Sequence, residues 1–299
     1  MQFASPVTAL RGAALALAFF ALLAGCTTLD VQQRKWIFQS SALQPDAGQG
    51  SFRSPSTPGM EDVWIEHDSA VSGQTIRLHG LWHDHPSPQA PLLLYLHGAR
   101  RNVDASAFRI RQMQDLGFAV LAVDYRGFGR STDELPSEAA VYEDARIAWS
   151  WLRAQHPGRD AYVFGHSLGG AIAVHLATEA PDAKGLIVEG TFTSIADMFQ
   201  TMKWGWLPIT PLITQRFDSL AKIDRVQVPV LVVHGTRDGL VPPDLGLALF
   251  ERVKADKRLV LVDGGSHYST NHLGAGQYRR ALHELFGLGS SDTPHNAVQ

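Results

Sequence analysis

Three residues that together could attack an acyl group are spread along this chain of 299 residues, and the first of them is Ser167. It lies in Gly165-His166-Ser167-Leu168-Gly169, which matches the pattern G-x-S-x-G. An apolar strand pattern, Tyr162–Phe164, precedes this motif and a helical pattern follows it, which is the setting of a nucleophile elbow. That turn is sharp and crowded, so residues 165 and 169 need to be glycine. The motif therefore predicts Ser167 as a nucleophile.

His267 and Asp238 are the predicted base and acid. A serine hydroxyl is a weak nucleophile and needs a base held beside it. Asp238 follows the predicted strand Val230–Val233 and His267 follows Leu259–Val262, so the order is serine, acid, histidine, as expected after such an elbow. We expect His267 to take the proton of Ser167, and Asp238 to fix the imidazole tautomer and stabilise its charged form.

Two backbone N–H groups are predicted to stabilise the negative charge that develops on the attacked oxygen. One belongs to Leu168, the residue after the nucleophile. The other belongs to Ala99, in the loop after the predicted strand Leu92–Leu96, where Gly98 permits a close approach of the backbone. Each such donor contributes about 10²–10³ in rate.

Other acidic and histidine residues are weaker candidates for these roles. Asp124 follows a strand but precedes Ser167, so we interpret it as an anchor for a loop. Asp263 stands four residues before His267 and is an alternative partner for it, whereas His272 lies further from the strand end. The segment 83–85, His-Asp-His, has the look of metal ligands, but no third ligand is indicated, so we predict no metal.

Short apolar runs alternate with helical patterns over residues 61–287, which predicts an α/β domain with a mainly parallel, doubly wound sheet. The predicted strands are Val63–Glu66, Thr75–Trp82, Leu92–Leu96, Ala119–Val123, Tyr162–Phe164, Leu186–Val188, Val230–Val233 and Leu259–Val262, and the predicted helices are Phe108–Leu116, Ser137–Gln155, Leu168–Thr178, Leu245–Val253 and Tyr278–Phe286.

The alternation breaks at about residues 191–224, a stretch too apolar for a linker and too long for a simple connection. We predict a small cap there. Its apolar residues either line an acyl pocket or seal the cap onto the core, and they are Trp204, Trp206, Leu207 and Ile209.

These motifs together resemble the α/β-hydrolase superfamily, with the nearest likeness to its Bem46-like branch. The segments that match are His97-Gly98, Asp124 to Ser131, Gly165 to Gly169 and His234 to Asp238. The resemblance implies an eight-stranded sheet, a Ser-Asp-His triad and no cofactor. One departure is Ala99-Arg100-Arg101, where that branch commonly has Asn after His-Gly; a backbone donor survives this change, but the acyl pocket is expected to differ.

The N-terminal residues suggest export and attachment to a membrane. Gly12 to Leu23 is an apolar run of the length of a signal peptide, and it ends in Leu23-Ala24-Gly25-Cys26. This resembles a bacterial lipoprotein signal, which implies cleavage before Cys26 and a lipid on its thiol. Thr27 at the next position implies the outer membrane, facing the periplasm. We therefore predict a signal peptide at 1–25, a tether at 26–60 and a disordered tail at 288–299. Within the tether, the segment Trp36-Ile37-Phe38 is more apolar and is a candidate for docking on the domain.

Composition narrows the function further. A net charge of −3 without a basic stripe argues against nucleic-acid binding, and a single cysteine excludes an intrachain disulfide or a cysteine-rich zinc site. The leading hypothesis is a serine hydrolase that cleaves carboxylic esters or thioesters of small or lipid-like acyl substrates through an acyl-enzyme. An acyltransferase, an aminopeptidase and a non-catalytic binding protein of the same fold stay open, as does the oligomeric state.

Overall fold

A computed structural model describes residues 27–40 and 59–289 of the chain. The predicted signal peptide with Cys26, most of the second half of the tether and residues 290–299 lie outside the described residues. The strands are β1 (Glu61–Asp68), β2 (Thr75–His83), β3 (Leu92–Leu96), β4 (Ala119–Val123), β5 (Ala161–His166), β6 (Gly185–Glu189), β7 (Val230–Gly235) and β8 (Lys257–Val262). The helices are α1 (27–38), α2 (Ala107–Asp115), α3 (Glu138–Gln155), α4 (Leu168–Ala177), α5 (Ile195–Gln200), α6 (Pro243–Arg252), α7 (Thr270–Leu273) and α8 (Ala275–Phe286).

The eight strands form one sheet in the order β1-β2-β4-β3-β5-β6-β7-β8. Strand β2 pairs antiparallel with β1 and β4, and all later neighbours pair in parallel. The crossover between β3 and β4 places β3 beside β5, which brings the loop after β3 next to the loop after β5. The prediction of a mainly parallel α/β sheet is therefore confirmed, and each predicted strand overlaps an observed one.

The central strands are continuous apolar runs because helices cover both faces of the sheet. Every residue of β3, β4, β5, β6 and β7 is buried. Strand β8 at the edge instead alternates between exposed and buried side chains. Because the central strands are parallel, the polar residues that follow them lie together at the carboxyl edge of the sheet, just outside the apolar core.

The predicted cap region between β6 and β7 holds α5 and two 3₁₀ helices, Thr210–Leu212 and Ile223–Arg225. Ser194 begins α5 because its side-chain oxygen accepts a hydrogen bond from the Asp197 N–H. Among the described residues, no helix combines the length and apolar character needed to cross a membrane.

Residues 27–38 form the helix α1, although they fall within the predicted tether. Phe38 is fully buried, and its ring lies 5.7 Å from that of Phe217 and 6.4 Å from that of Phe128. Arg34 donates hydrogen bonds to the carbonyl oxygens of Leu135 and Pro136. This part of the chain is therefore packed against the domain. The apolar residues Ile37 and Phe38 at the end of the helix are buried, and polar side chains of the same helix form hydrogen bonds with the domain surface.

Candidate active site

Ser167 occupies the turn between β5 and α4 in a strained conformation. Its φ of 56° and ψ of −122° lie outside the regions that a residue with a side chain normally adopts. A Cβ on Gly165 would stand 2.2 Å from the Gly169 carbonyl oxygen, and one on Gly169 would stand 2.1 Å from the Leu96 carbonyl oxygen. Both flanking positions therefore exclude any side chain.

Hydrogen bonds from other elements hold this strained residue in place. The Ser167 N–H donates to the Glu189 carbonyl at 2.9 Å. The Ser167 carbonyl accepts from the Thr191 hydroxyl and from the Gly170 N–H, each at 2.9 Å. The backbone of Ser167 is thus held by three hydrogen bonds, and the residue lines the pocket.

His267 and Asp238 come together in the loops after β8 and β7. Nδ1 of His267 lies 2.8 Å from Oδ2 of Asp238, and both residues are buried. Oδ1 of Asp238 accepts the N–H groups of Leu240 at 2.9 Å and Val241 at 2.8 Å. With Nδ1 engaged, Nε2 is the ring nitrogen of His267 that remains for proton exchange in the pocket that His267 and Ser167 both line.

The pKa of Asp238 lies well below its usual range. Burial alone would raise it, but hydrogen bonds from His234 and His267 and the N–H of Val241 together outweigh that effect. Nε2 of His234 lies 3.5 Å from Oδ2 of Asp238 and 3.0 Å from the Val241 carbonyl oxygen. Asp238 therefore stays ionised, which is the state that stabilises a charged imidazole.

The backbone of His267 is anchored by a buried network below the site. Its carbonyl oxygen accepts a hydrogen bond from Nη2 of Arg109 at 3.1 Å and from Nε2 of His166 at 3.0 Å. Nε of Arg109 lies 3.3 Å from Oε1 of Glu189, whose other carboxylate oxygen accepts the Tyr278 hydroxyl. Glu189 thus contacts the serine turn through its backbone and the histidine loop through Arg109.

His166 stays uncharged beside the candidate base. Burial lowers its pKa well below the usual value, and the positive charge of Arg109 acts in the same direction. Its ring centroid is 4.7 Å from that of His267. A neutral His166 adds no repulsion when His267 takes up a proton, and the carboxylate of Asp238 is the charged group that contacts the imidazole ring.

The loop after β3 lies against the serine, where the second oxyanion donor is predicted. A Cβ on Gly98 would stand 3.0 Å from Cβ of Ser167, so glycine permits this close approach. Ala99 follows, and both Ala99 and Leu168 line the same pocket as Ser167. Within residues 27–40 and 59–289, neither N–H donates a hydrogen bond to the protein, so both remain able to bind an oxyanion.

The pocket above Ser167 is mainly apolar, with cations at its rim. Its apolar wall comes from the cap and from the loop after β7, and its members are Phe192, Ile195, Met198, Met202, Leu240 and Val241. Trp36, Ile37 and Gln39 of the N-terminal segment complete it, and Arg100 and Arg101 border it. Of the two roles left open for the apolar cap residues, lining the pocket is wrong: none of Trp204, Trp206, Leu207 and Ile209 lines it, and the two tryptophans are 58% and 73% exposed.

The alternative candidates take other roles. Asp124 accepts a hydrogen bond from the Val103 N–H at 2.8 Å and so anchors the loop before α2, as predicted. Asp263 accepts from the Thr236 hydroxyl at 3.2 Å instead of orienting His267. Nδ1 of His83 donates to the Gly59 carbonyl at 2.9 Å.

Sequence reasoning missed Glu189, Arg109 and Gly190. Gly190 has a φ of 56°, and a Cβ there would stand 3.3 Å from Oδ2 of Asp238. Glu189 could have been found from the sequence, because it is a carboxylate directly after the apolar run Leu186-Ile187-Val188. Arg109 gave none, because its partners are 80 or more positions away along the chain.

Comparison with known proteins places this fold and these motifs among described families. A family model described as serine aminopeptidase, S33, matches residues 87–221. An uncharacterised protein of Mycobacterium tuberculosis is 35% identical over 240 residues, which cover 79% of this chain and 80% of that protein. Protein bem46 of Schizosaccharomyces pombe is 32% identical over 223 residues, covering 71% of this chain and 74% of that protein.

A further relative matches a smaller part of the chain, and two solved structures share the fold at lower sequence identity. Lysophosphatidylserine lipase ABHD12 of Danio rerio is 30% identical over 189 residues, 56% of this chain and 49% of that protein. Est1E of Butyrivibrio proteoclasticus, with ferulic acid bound, superposes with a TM-score of 0.62 at 20% identity over 75% of this chain and 99% of that chain. Esterase Pf2001 of Pyrococcus furiosus superposes with a TM-score of 0.59 at 21% identity, over 75% of this chain and 90% of that chain.

Proposed function

This chain belongs to the Bem46-like branch of the α/β-hydrolase superfamily and is a hydrolase, and on that premise we propose that it is a serine esterase acting on single-chain lipid esters. The observation that carries the proposal is the strained serine turn of Ser167, in one pocket with His267, whose Nδ1 is bound to the Asp238 carboxylate at 2.8 Å. A non-catalytic binding protein has no need of this arrangement.

In the proposed reaction, the Ser167 oxygen attacks the ester carbonyl carbon while Nε2 of His267 takes the hydroxyl proton. The carbonyl oxygen becomes an oxyanion that accepts hydrogen bonds from the N–H groups of Ala99 and Leu168. When the tetrahedral intermediate collapses, the bond to the alcohol breaks and His267 returns the proton to the leaving oxygen. Water then attacks the acyl-serine by the same steps, giving the acid and free Ser167.

The test of this mechanism is labelling by a fluorophosphonate together with hydrolysis of nitrophenyl esters. We expect the full chain to label and to turn over esters, and Ser167→Ala to lose both by at least about 10³-fold. Ser87→Ala, an exposed serine outside the pocket, serves as the matched control. Labelling that persists in Ser167→Ala would contradict the assignment.

The pocket lining supports an ester with an apolar chain and an anionic head group. None of the described residues that line the pocket is acidic, while Arg100 and Arg101 stand at its border. A free amine, as an aminopeptidase requires, meets no carboxylate there. The relative ABHD12 is named a lysophosphatidylserine lipase, and an anionic lysophospholipid combines one acyl chain with a negative head group.

A substrate panel distinguishes these options. We expect turnover of anionic lysophospholipids to exceed that of zwitterionic ones with the same chain, and Arg101→Gln to reduce the difference. Aminoacyl amides should not be hydrolysed. A competing alcohol added to the assay reveals acyl transfer, since only the acceptor differs from hydrolysis.

We also propose that Cys26 carries a lipid and holds the enzyme on a bacterial outer membrane, facing the periplasm. The support is the apolar run Gly12 to Leu23 that ends in Leu-Ala-Gly-Cys, followed by Thr27. More than one acyl chain gives stable attachment, whereas a single chain is marginal. Metabolic labelling with palmitate should require Cys26, so equal labelling of Cys26→Ser would overturn this proposal.

A further inference from the structure

Arg100, next to the predicted oxyanion donor Ala99, has an unusual backbone conformation. Its φ is 69°, in the left-handed region that residues with a side chain rarely adopt. The side chain does not explain this conformation, because it is exposed. A conformation of this kind persists where the surroundings fix it.

The contact that fixes it comes from the N-terminal helix. The Arg100 N–H donates a hydrogen bond to the carbonyl oxygen of Phe38 at 3.0 Å. Phe38 is the last residue of α1, and the final carbonyl groups of a helix have no partner within the helix. The loop after β3 thus satisfies a carbonyl at the end of α1, and α1 in turn holds the loop.

Phe38 cannot shift easily, because its ring packs into the domain on the same side as the loop. It is fully buried and contacts the rings of Phe128 and Phe217 edge-on. Phe128 also packs edge-on against the ring of His97, with centroids 5.0 Å apart, and His97 directly precedes Gly98. The ring of Phe38 therefore supports the residue before Gly98 through Phe128, and its carbonyl oxygen binds the residue after Ala99.

The rest of α1 is bonded to the cap. Nε2 of Gln33 donates to the Leu212 carbonyl at 2.7 Å, and Oδ1 of Asp30 accepts the Thr214 hydroxyl at 2.7 Å. Arg34 adds its bonds to the chain before α3. The helix is thus joined to the cap and to the core at once.

We propose that α1 is a positioning element of the active site: the Phe38 carbonyl holds Arg100 in its left-handed conformation and so directs the Ala99 N–H toward the oxyanion. The inference rests on the proposed esterase function. It assigns a catalytic purpose to the segment directly after Cys26, which would otherwise serve as a linker. A misdirected donor weakens an interaction that is strong in the transition state, so kcat should fall while KM changes little.

The experiment measures kcat and KM for a short nitrophenyl ester with the full chain and with Phe38→Ala. We expect kcat to fall about 10- to 100-fold per folded molecule, with KM within about twofold. The matched control is Phe118→Ala, since Phe118 is also fully buried but lies in the other core cluster, on the opposite face of the sheet. That control should lower thermal stability and leave kcat per folded molecule near the wild-type value.

A rescue separates positioning from general damage. Glycine adopts a positive φ without strain, so Arg100→Gly should no longer depend on the Phe38 carbonyl. We expect Phe38→Ala combined with Arg100→Gly to recover kcat to within about threefold of Arg100→Gly alone. If the double variant stays as slow as Phe38→Ala, the proposed role of the Arg100 conformation is wrong.

Two further outcomes are distinguishable. If Phe38→Ala does not fold, Arg34→Ala loosens α1 without opening the core, and it should lower kcat about threefold or more in a manner that Arg100→Gly corrects. An active wild-type enzyme whose kcat is unaffected by Phe38→Ala or Arg34→Ala overturns the role of α1 and leaves the esterase intact. A wild-type chain that neither labels nor hydrolyses esters overturns the proposed function, and this inference with it.

Discussion

Two buried ionic clusters follow strands of the same sheet, and they differ in whether they open onto the pocket of Ser167. The first joins Asp238 to His267 in the loops after β7 and β8. The second surrounds Arg126, just after β4, whose Nη2 lies 2.6 Å from both a Glu143 and an Asp144 carboxylate oxygen. In the second cluster both carboxylates bind the same guanidinium and none of these three residues lines the pocket of Ser167, whereas the first cluster ends in an imidazole that lines that pocket.

The contrast shows which buried charges can do chemistry. Glu143, Asp144 and His67 have their ligand atoms within 4.8 Å of one another, as in a metal site. Arg126 already supplies the cation there, and its buried, multiply bonded side chain has no route to substrate. A closed cluster of this kind stabilises and orders the fold, while an open one can exchange a proton.

The largest expected effect is on the open cluster. Asp238→Asn should lower kcat/KM about 10⁴-fold, because the amide favours the wrong tautomer of His267 and cannot stabilise its charged form. Ester hydrolysis and thermal unfolding, measured on the same preparation, check this. Asp144→Asn is the matched change in the closed cluster, and it should lower stability with kcat per folded molecule unchanged. Equal losses of activity in the two variants would show that the two clusters do not differ as described.

The next effect is on stability. Arg126→Met leaves Glu143 and Asp144 buried without their cation, which should lower the free energy of unfolding by about 3–5 kcal/mol. Urea unfolding followed by circular dichroism measures it. Arg153→Met breaks a partly exposed pair with Asp182 and should cost under about 1 kcal/mol. A similar small loss for Arg126→Met would contradict the structural role of the cluster.

Glu189→Gln should lower both the activity and the stability, each by less than the variants above. It removes the charge that pairs with Arg109, and Arg109 holds the carbonyl of His267. We expect a loss of about 2–3 kcal/mol in stability, since the amide keeps some hydrogen bonds, and a fall of about tenfold in kcat. Loss of stability alone would mean that the network supports the fold without positioning the base.

The smallest effect concerns pH and the contact between α3 and α4. The ring of His175 stacks on that of Tyr142 at 3.7 Å, and burial, aided by the charge of Lys222, lowers its pKa from 6.5 to about 4. Between these values the unfolded chain binds more protons than the folded one, so stability falls as the pH falls from about 6.5 to 4. Over that interval the wild type should lose about 1–3 kcal/mol more than His175→Phe does. Parallel pH profiles for the two proteins would exclude this role.

The sequence was enough to predict the sheet because its central strands are buried on both faces and so appear as continuous apolar runs. Ser167 and Asp238 could be singled out for the same reason, since each follows one of those runs, and His267 follows the shorter apolar run of the edge strand β8. Local chemistry, namely glycine at crowded turns and polar residues at strand ends, is visible without a structure.

The parts that could not be predicted depend on contacts between distant residues. Arg109 and Glu189 are 80 positions apart, and each alone resembles a charged surface residue. The apolar segment Trp36-Ile37-Phe38 indicated docking on the domain, but its contacts could not be predicted, because Phe38 finds its partners Phe128 and Phe217 far along the chain.

If Cys26 carries the proposed lipid, the docked helix α1 also limits how far the enzyme can search for substrate. A flexible tether of about 35 residues would let the catalytic domain range over about 30–35 Å from its attachment point. The described helix instead rises about 18 Å from residue 27 to Phe38, where it meets the pocket wall. A lipid on Cys26 would therefore fix the mouth of the pocket at a short, constant height above the bilayer. Such an enzyme works on molecules that emerge from its own leaflet, and its rate would follow their density in that surface rather than their concentration in the surrounding fluid.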